Sequence, residues 1–451
     1  MDVTKIGETM FTKKQLYKLI IPLIIEQTLA VTVGMADIIM VSKAGDAALS
    51  GVSLVDTLNI LLINIFSALA TGGAVVAAQY LGHKDRNKAC KSGEQLLITG
   101  TLISFLITLI SLLGNRYILH MIYGDIDVEI MNSASTYFYI TALSFPFLAI
   151  YNSCAALFRA MGNSRVSMTV SWIMNIINVC GNALLIYGFG LGVSGVAIPT
   201  LVSRAVAAII MLALIKNKEN PIYIKNYLNI RFDFAIIKKI LRIGVPNGLE
   251  NSMFQIGKIL VQGLIASFGI ASITGNAVAN TFAGFQTLPG GAISLSMITV
   301  IGQCVGAHDY AQAKKYTIKL LKIAYGMMAV LNIIMLIFSK QLIDIYNVTP
   351  ESKDIAYQLL VYHSICCMLI WPSSFTLPNA LRAANDVKFT MLTSIISMWI
   401  CRVVLSYVLG KNLGLGVLGV WIAMTADWLF RSICFVYRFA KGKWKQHAFV
   451  A

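Results

Sequence analysis

The stretch AQYLGHKDRNKACK at residues 78–91 returns as GQCVGAHDYAQAKK at residues 302–315. The two copies share a glutamine, a glycine, an aspartate, an alanine and a lysine at matching places. The same offset in the numbering relates further pairs: Pro22 and Pro246, Glu26 and Glu250, Gly45 and Gly269, and LGVSGV at 191–196 and LGVLGV at 415–420. Because one offset holds along most of each half, the chain is one structural unit written twice.

Hydrophobic residues make up 57% and charged residues 12% of the 451 residues, a composition outside the range of soluble globular proteins. A helix needs about 20 mainly apolar residues to cross the hydrocarbon of a bilayer. Six such stretches occur in each half, at 16–42, 51–80, 93–118, 136–158, 168–188, 193–216, 241–268, 276–303, 317–339, 355–381, 389–411 and 417–439. The sequence therefore predicts an all-α integral membrane protein with twelve transmembrane helices.

Basic residues outnumber acidic ones by 36 to 20, which gives a formal net charge of +16. If the N-terminus is cytoplasmic, most of the lysines and arginines lie in the N-terminal segment, the even-numbered loops and the C-terminal tail. This asymmetry predicts a multi-pass protein of the cell membrane with both termini in the cytoplasm. The alternative is a polybasic patch for anionic lipid or nucleic acid, but the charges are spread over many segments. We expect membrane lipids and no nucleic acid as partners.

The polar connection between the halves sets the predicted domain boundaries. We expect an N-lobe at 1–215, a cytoplasmic linker at 216–242, and a C-lobe at 243–451 with a short basic tail. Since each repeat has an even number of spans, both repeats enter the membrane in the same direction. The two six-helix lobes should then be related by a pseudo-twofold axis along the membrane normal. Duplication of this kind is common in secondary transporters, in which the substrate sits between the repeats.

Acidic residues well inside the predicted spans are the first candidates for function. An ionised carboxylate at the centre of a bilayer costs about 2.5–3.5 kcal/mol on insertion scales, so it needs a partner or a water-filled cavity. Burial also strengthens the attraction of a carboxylate for a cation. Five acids meet this description: Glu26, Asp37, Asp56, Glu250 and Asp427.

Asp37 is the best candidate for a cation site. Asn175, Asn178 and Asn182 follow one another in span 5 at positions i, i+3 and i+7, which places three amides on one helical face. One carboxylate with amide oxygens suits a proton or a small hard cation, and Na⁺ could bind at Asp37 and Asn178. The alternative is that the asparagines only join helices by hydrogen bonds.

Glu26 and Glu250 are possible second carboxylate sites, because the helical rise of about 1.5 Å per residue places both near the middle of the membrane. For Glu250 and Asp427 the alternative is ion pairing within the C-terminal half, where further basic residues lie inside spans: Lys258, Arg402 and Arg431.

Aromatic and methionine side chains could line an adaptable substrate cavity. The candidates are Met35, Phe282, Phe285, Met297 and Trp371, and for each of them ordinary packing is the alternative. No nucleophile elbow, phosphate-binding loop or metal-type histidine spacing occurs. Eight cysteines also lack metal-type spacing. We therefore expect neither an enzyme nor a cofactor, apart from a coupling ion, H⁺ or Na⁺.

Three motifs together resemble a known family. The first span and the loop after it carry its proline, aspartate and glycine pattern: Pro22, Gln27, Asp37, Met40, Gly45, Leu49 and Val52. The segments at 78–89 and 302–313 share Gln-x-x-Gly-x-x-Asp, and LFRAMGNSR at 157–165 and LRAANDVK at 381–388 are paired Leu-Arg loops. In this order and in two copies, they resemble the multidrug and toxic compound extrusion (MATE) transporters, of the multidrug/oligosaccharidyl-lipid/polysaccharide exporter group.

The resemblance implies a V-shaped pair of six-helix lobes that exports organic cations and drugs in exchange for H⁺ or Na⁺. It also implies that Asp37 belongs to a cation site of the N-lobe and that Asn178 stands at a polar position of the fifth span. Asn182 stands where one branch of the family carries an aspartate. In another branch a second site combines a seventh-span glutamate with a tenth-span aspartate. Glu250 lies in the right span for it, but span 10 has no internal acid.

The resulting hypothesis is a monomeric antiporter in which inward H⁺ or Na⁺ binds Asp37 and drives outward movement of amphipathic, cationic, drug-like compounds. The alternative within transporters is a flippase for a lipid-linked oligosaccharide. Its pyrophosphate would need a cationic cavity, for which the chain offers Arg204, Lys258, Arg402 and Arg431.

Overall fold

The computed structural model describes residues 10–43, 45–225 and 231–447, and its regular structure in these ranges is entirely helical. The first half contains α1 (Lys13–Ser42), α2 (Asp46–Gly82), α3 (Arg86–Leu113), α4 (Asn115–Tyr123), α5 (Val128–Leu143), α6 (Phe145–Ala160), α7 (Ser164–Ala183) and α8 (Ser194–Ile215). A π-helical segment at Leu184–Gly188 extends α7.

The second half repeats this order. It contains α9 (Phe234–Ala266), α10 (Ile270–Gly306), α11 (Tyr310–Ile337), α12 (Ser339–Asp344), α13 (Pro350–Trp371), α14 (Leu377–Ala383), α15 (Val387–Ser397) and α16 (Gly416–Ala440). A π-helical turn at Pro372–Thr376 joins α13 to α14, and two more, Met398–Val404 and Tyr407–Asn412, extend α15. A 3₁₀ turn at Lys443–His447 follows α16.

Most of these helices are long and apolar enough to cross a membrane. Ten spans in the described ranges meet this condition by length and composition, and the bent pair α5 and α6 supplies an eleventh. The sequence predicted a single span at 136–158, whereas α5 and α6 meet at an angle of 46°. Pro146 at the start of α6 cannot donate a backbone hydrogen bond, which accounts for the break. α9 is not among the ten, since charged and amide side chains interrupt its 33 residues.

The duplication found in the sequence is also present in the structure. α2 and α10 begin and end at matching positions of the two repeats, and so do α3 and α11. Gly45 and Gly269 precede α2 and α10 with φ angles of 105° and 99°, which favour glycine. The Asp85 and Asp309 carboxylates cap the next helices by accepting a backbone N–H at 2.9 Å from Lys88 and Gln312, respectively. These matching caps explain why the two loop motifs are retained in both halves.

The described chain divides into two compact units. One comprises the residues up to Ile20 and those from Leu249 onward, and the other comprises Ile21–Gly248. α1 and α9 thus each contribute residues to both units. The predicted lobes at 1–215 and 243–451 and the linker at 216–242 stay a prediction, and residues 226–230 of that linker lie outside the described ranges.

Small residues allow close helix contacts within each unit. A Cβ atom on Gly51 of α2 would stand 2.8 Å from the backbone nitrogen of Ala134 in α5. On Gly275, the equivalent residue of α10, it would stand 2.8 Å from the Ile355 Cβ of α13. Because lipid gives helices no hydrophobic reason to associate, such close backbone approach is a main source of packing energy.

Candidate cation site

The predicted carboxylate and two of the three predicted amides meet within the unit of Ile21–Gly248. Asp37 lies in α1, and Asn178 and Asn182 lie one turn apart in α7. The Asn182 Nδ2 donates to Asp37 Oδ1 at 2.8 Å. Asp37 is half-buried, and both asparagines are buried.

The Asn178 amide also contacts Asp37. Its Nδ2 donates to Asp37 Oδ1 at 3.0 Å, and its oxygen accepts from the Thr200 hydroxyl at 3.1 Å. Both ends of this amide thus have a complementary partner.

A second carboxylate and an arginine complete the polar cluster around Asp37. Asp56 of α2 accepts hydrogen bonds from the Tyr137 hydroxyl at 3.1 Å and from Asn59 Nδ2 at 3.4 Å. Arg204 of α8 lies close enough to act on the charges of both aspartates, and its Nη1 donates to the Ser144 hydroxyl at 2.7 Å. Two carboxylates and one guanidinium leave a net charge of −1, so one bound monovalent cation would neutralise the cluster.

The residues around Asp37 fit a proton or a sodium ion better than a transition metal. No group of three or more His, Cys, Asp or Glu side chains that could hold a metal occurs in the described part of the chain. Oxygen atoms dominate the cluster, and Asn182 Oδ1 is buried with no hydrogen-bond partner among the described residues. A carboxylate with amide and hydroxyl oxygens is a ligand set suited to a hard cation.

Sequence patterns identified the centre of this cluster but not its full membership. Asn175, predicted as the third amide, donates instead to the Ser171 hydroxyl at 3.3 Å, one turn earlier in α7. Tyr137 and Arg204 were missed as members of the cluster, and Asp56 was noted only as an acid within a span. The signal that could have found Arg204 is its charge in the middle of an otherwise apolar helix.

Glu26 and Glu250, which are equivalent at the repeat offset, both form ion pairs. Glu26 accepts from the Ser167 hydroxyl at 2.8 Å and lies 3.5 Å from Arg159 Nη1. Glu250 is bound more tightly, since Arg382 Nη2 donates to both of its carboxylate oxygens at 2.7 Å. Arg431 Nη2 adds a third contact to Glu250 at 3.4 Å. Arg159 and Arg382 come from the paired Leu-Arg loops, which explains the shared motif.

The predicted ion pairing of the C-terminal half is present, with a partner that the sequence did not indicate. Arg382 takes the place expected for Lys258 beside Glu250. Asp427 lies 3.8 Å from Arg402 and accepts a hydrogen bond from the Ser397 hydroxyl. These carboxylates are already neutralised by arginines and do not form an open cation site.

Equivalent positions of the two repeats differ in charge although their helices match. At the repeat offset, the counterparts of Asp37, Asp56, Asn178 and Arg204 are Val261, Asn280, Arg402 and Trp428. A second copy of the acidic cluster is therefore absent at these described positions.

The five predicted cavity residues differ in burial and in their contacts. Met297 is fully buried, and Phe282 packs in an apolar cluster with Val278 and Leu360, against which Phe285 also packs. Trp371 stacks on Phe375 with ring centroids 5.0 Å apart. Met35, in α1, is half-buried. For Met297 and Phe282 the structure favours the packing interpretation.

Comparisons with known proteins agree with this fold. The chain is 29% identical to the "Uncharacterized transporter YisQ" of Bacillus subtilis (strain 168), over 96% of this chain and 95% of that protein. It is 26% identical to the "Probable multidrug resistance protein NorM" of Thermotoga maritima, over 97% and 94%. The solved structure "Crystal structure of MATE in the bent conformation" matches with a TM-score of 0.87 at 20% identity, covering 96% of both chains.

The family match also reproduces the duplication. The MatE family model matches residues 22–184 and again residues 246–408, two ranges related by the repeat offset. MATE transporter structures have twelve transmembrane helices in two lobes, so the predicted all-α membrane fold is confirmed. The chain belongs to the MATE family of transporters, which are not enzymes.

Proposed function

We propose that this chain is a cation-coupled multidrug efflux antiporter of the cell membrane, with both termini in the cytoplasm. It would exchange inward H⁺ or Na⁺ for outward movement of amphipathic, cationic organic compounds. The observation that carries the proposal is the Asp37 carboxylate, which lies inside a helix bundle near Asp56, accepts a hydrogen bond from Asn182, and forms no ion pair among the described residues. Membership of the family and the printed description of the NorM relative support the substrate class.

The cluster suggests how a single cation would be loaded and released. Arg204 lies near both aspartates, and the formal charges of the three groups sum to −1, so we expect the cluster to exchange one monovalent cation in each cycle. When Asp37 is ionised and empty, the amides of Asn178 and Asn182 donate to it. A proton or a cation that binds Asp37 would compete with these amides for the carboxylate oxygens.

The driving force for this exchange is the concentration gradient of the coupling ion. When one monovalent cation enters for each monovalent cationic compound that leaves, no net charge crosses the membrane, so the membrane potential does not add to it. A tenfold gradient of the coupling ion contributes about 1.4 kcal/mol and therefore sustains about a tenfold concentration ratio of the compound.

Transport in proteoliposomes tests the proposal. The purified protein is reconstituted in liposomes, and efflux of ethidium is followed after either a pH jump or a Na⁺ jump. We expect one of the two jumps to drive ethidium movement and Asp37→Asn to abolish it. Normal, ion-driven transport by Asp37→Asn would refute the assignment of the site.

The matched control removes an equal charge outside the cluster. Asp125→Asn is suitable because the Asp125 side chain is 97% exposed, in the connection between α4 and α5. We expect its transport to equal that of the unmodified protein. If both variants lose transport equally, the loss does not report on the cluster.

A further inference from the structure

A cavity in the unit formed by the residues up to Ile20 and from Leu249 onward carries a net charge opposite in sign to that of the Asp37 cluster. Its volume is about 200 Å³, and its polar wall consists of Glu250, Asn251, Arg382, Ser394 and Arg431. With one carboxylate and two guanidinium groups, this wall carries a net charge of +1. Just beyond it, Arg402 faces Asp427, and Lys258 near Arg402 adds one further positive charge.

Several polar groups on the wall have spare hydrogen-bonding capacity. Arg382 Nε, Arg431 Nε and the Ser394 hydroxyl are buried without a hydrogen-bond partner among the described residues. Arg431 is 3% exposed, Ser394 2% and Arg382 7%. A buried donor without a partner loses its hydrogen bonds to water and gains nothing in return, and the cost is larger when the donor is charged. Three such groups around one cavity therefore indicate that a ligand completes them.

The remaining wall is apolar and fits a small organic group. Phe254, Phe375, Ile395 and Met398 line it. The Arg431 guanidinium lies over the Phe375 ring, 4.4 Å from its centroid, which fixes its plane beside the cavity.

We propose that this cavity is a binding site for one small monovalent anion, either a halide or the carboxylate of a compact organic acid. One negative charge balances the net charge of the wall, whereas a dianion would exceed it and be repelled by Glu250. The Arg382 and Arg431 Nε–H groups and the Ser394 hydroxyl would donate to the anion, and the phenylalanines would contact its apolar part. Guanidinium groups suit this role because their donors are fixed in a plane.

The proposed site is separate from the proposed coupling site. Every residue that lines the cavity lies between Glu250 and Arg431, whereas the Asp37 cluster lies within Ile21–Gly248. Binding of an anion here does not depend on whether Asp37 takes H⁺ or Na⁺.

Equilibrium dialysis of the purified full-length protein in detergent tests the proposal. The probes are ³⁶Cl⁻ and ¹⁴C-benzoate, each at constant Na⁺ concentration, with sulfate as the balancing dianion. We expect saturable binding of one anion per chain with at least one of the probes. Saturation by chloride alone identifies an inorganic anion, and saturation by benzoate identifies an organic acid.

Variants connect the binding to the cavity. Ser394→Ala removes one donor without leaving an ion unpaired, and we expect it to weaken binding about tenfold. Arg431→Gln should weaken it by more. Arg165→Gln is the control for loss of a positive charge, because Arg165 is exposed on α7, in the unit that does not hold the cavity. Asp37→Asn should also bind normally, which separates this site from the proposed antiport.

Either of two results would overturn the proposal: no saturable binding of either probe, or saturable binding that Ser394→Ala and Arg431→Gln leave unchanged. If Arg431→Gln does not fold, Ser394→Ala by itself decides, because it conserves charge and removes only a hydroxyl.

Discussion

The ion pairs of Glu26 and Glu250 should contribute unequally to stability. In the C-terminal half, Arg382 Nη2 contacts both oxygens of Glu250 at 2.7 Å, and the two side chains are 8% and 6% exposed. In the N-terminal half, Arg159 Nη1 stands 3.5 Å from Glu26, with exposures of 16% and 10%. The first pair is shorter and more completely removed from solvent, and both differences strengthen the interaction between two charges.

Removing one partner of a buried pair costs about 3–5 kcal/mol, because the other charge is left uncompensated. Arg431 remains 3.4 Å from Glu250 after Arg382 is replaced. We therefore expect a coupling energy of about 2–3 kcal/mol between Glu250 and Arg382. Between Glu26 and Arg159 the coupling should be about 1 kcal/mol or less.

Two double-mutant cycles measure these energies. Each combines Glu→Gln and Arg→Gln singly and together, and unfolding in mixed micelles is followed by tryptophan fluorescence. The Glu250/Arg382 double variant should be less stable than Arg382→Gln, since Arg382→Gln keeps the contact between Glu250 and Arg431, whereas the double variant leaves the buried Arg431 without a carboxylate. Equal coupling in the two cycles, or additive losses in the C-terminal cycle, would show that the geometry of these pairs does not govern their energy.

The cluster, the helix contacts and the topology each give a further prediction. Asp56→Asn should leave substrate movement intact but weaken its dependence on the ion gradient, because the positive charge of Arg204 then compensates the negative charge of Asp37. Gradient-driven ethidium transport at the rate of the unmodified protein would contradict this prediction. Gly275→Ala should lower the free energy of unfolding by about 1–3 kcal/mol through overpacking. Gly263→Ala should not lower it, because no atom lies within 4 Å of the added Cβ. Equal melting temperatures of the two variants would refute the packing argument. In a protein whose native cysteines are replaced, the cysteine of Lys218→Cys should react with a membrane-impermeant maleimide only from the cytoplasmic side. Labelling of this cysteine in intact cells would contradict the proposed topology.

Much of the fold could be predicted from the sequence because its determinants are local. The apolar stretches are long enough to specify transmembrane helices, and in a bilayer a helix satisfies its own backbone hydrogen bonds. The aspartates at the two Gln-x-x-Gly-x-x-Asp motifs cap the helices that follow them, as their matching backbone contacts show. The sequence predicted a single span there although Pro146 marks the break, because a proline within an apolar run does not by itself give the angle between two helices.

The candidate site could be predicted only in part. Asp37 and Asn182 are far apart in the chain, and their hydrogen bond depends on how α1 and α7 pack. The helical spacing predicted that Asn175 lies on the same helical face as Asn178 and Asn182. In the structure, Asn175 donates a hydrogen bond to Ser171 of its own helix.

By itself the sequence determined a duplicated, all-helical membrane protein, because the length of an apolar run depends on neighbouring residues and the repeat appears when the two halves are aligned. Only the tertiary structure decided which acids form ion pairs. Glu250 is held by two arginines, whereas Asp37 forms no ion pair among the described residues and accepts a hydrogen bond from Asn182. Charge balance in a membrane interior depends on all the side chains that converge on a point, and these come from helices far apart in the chain.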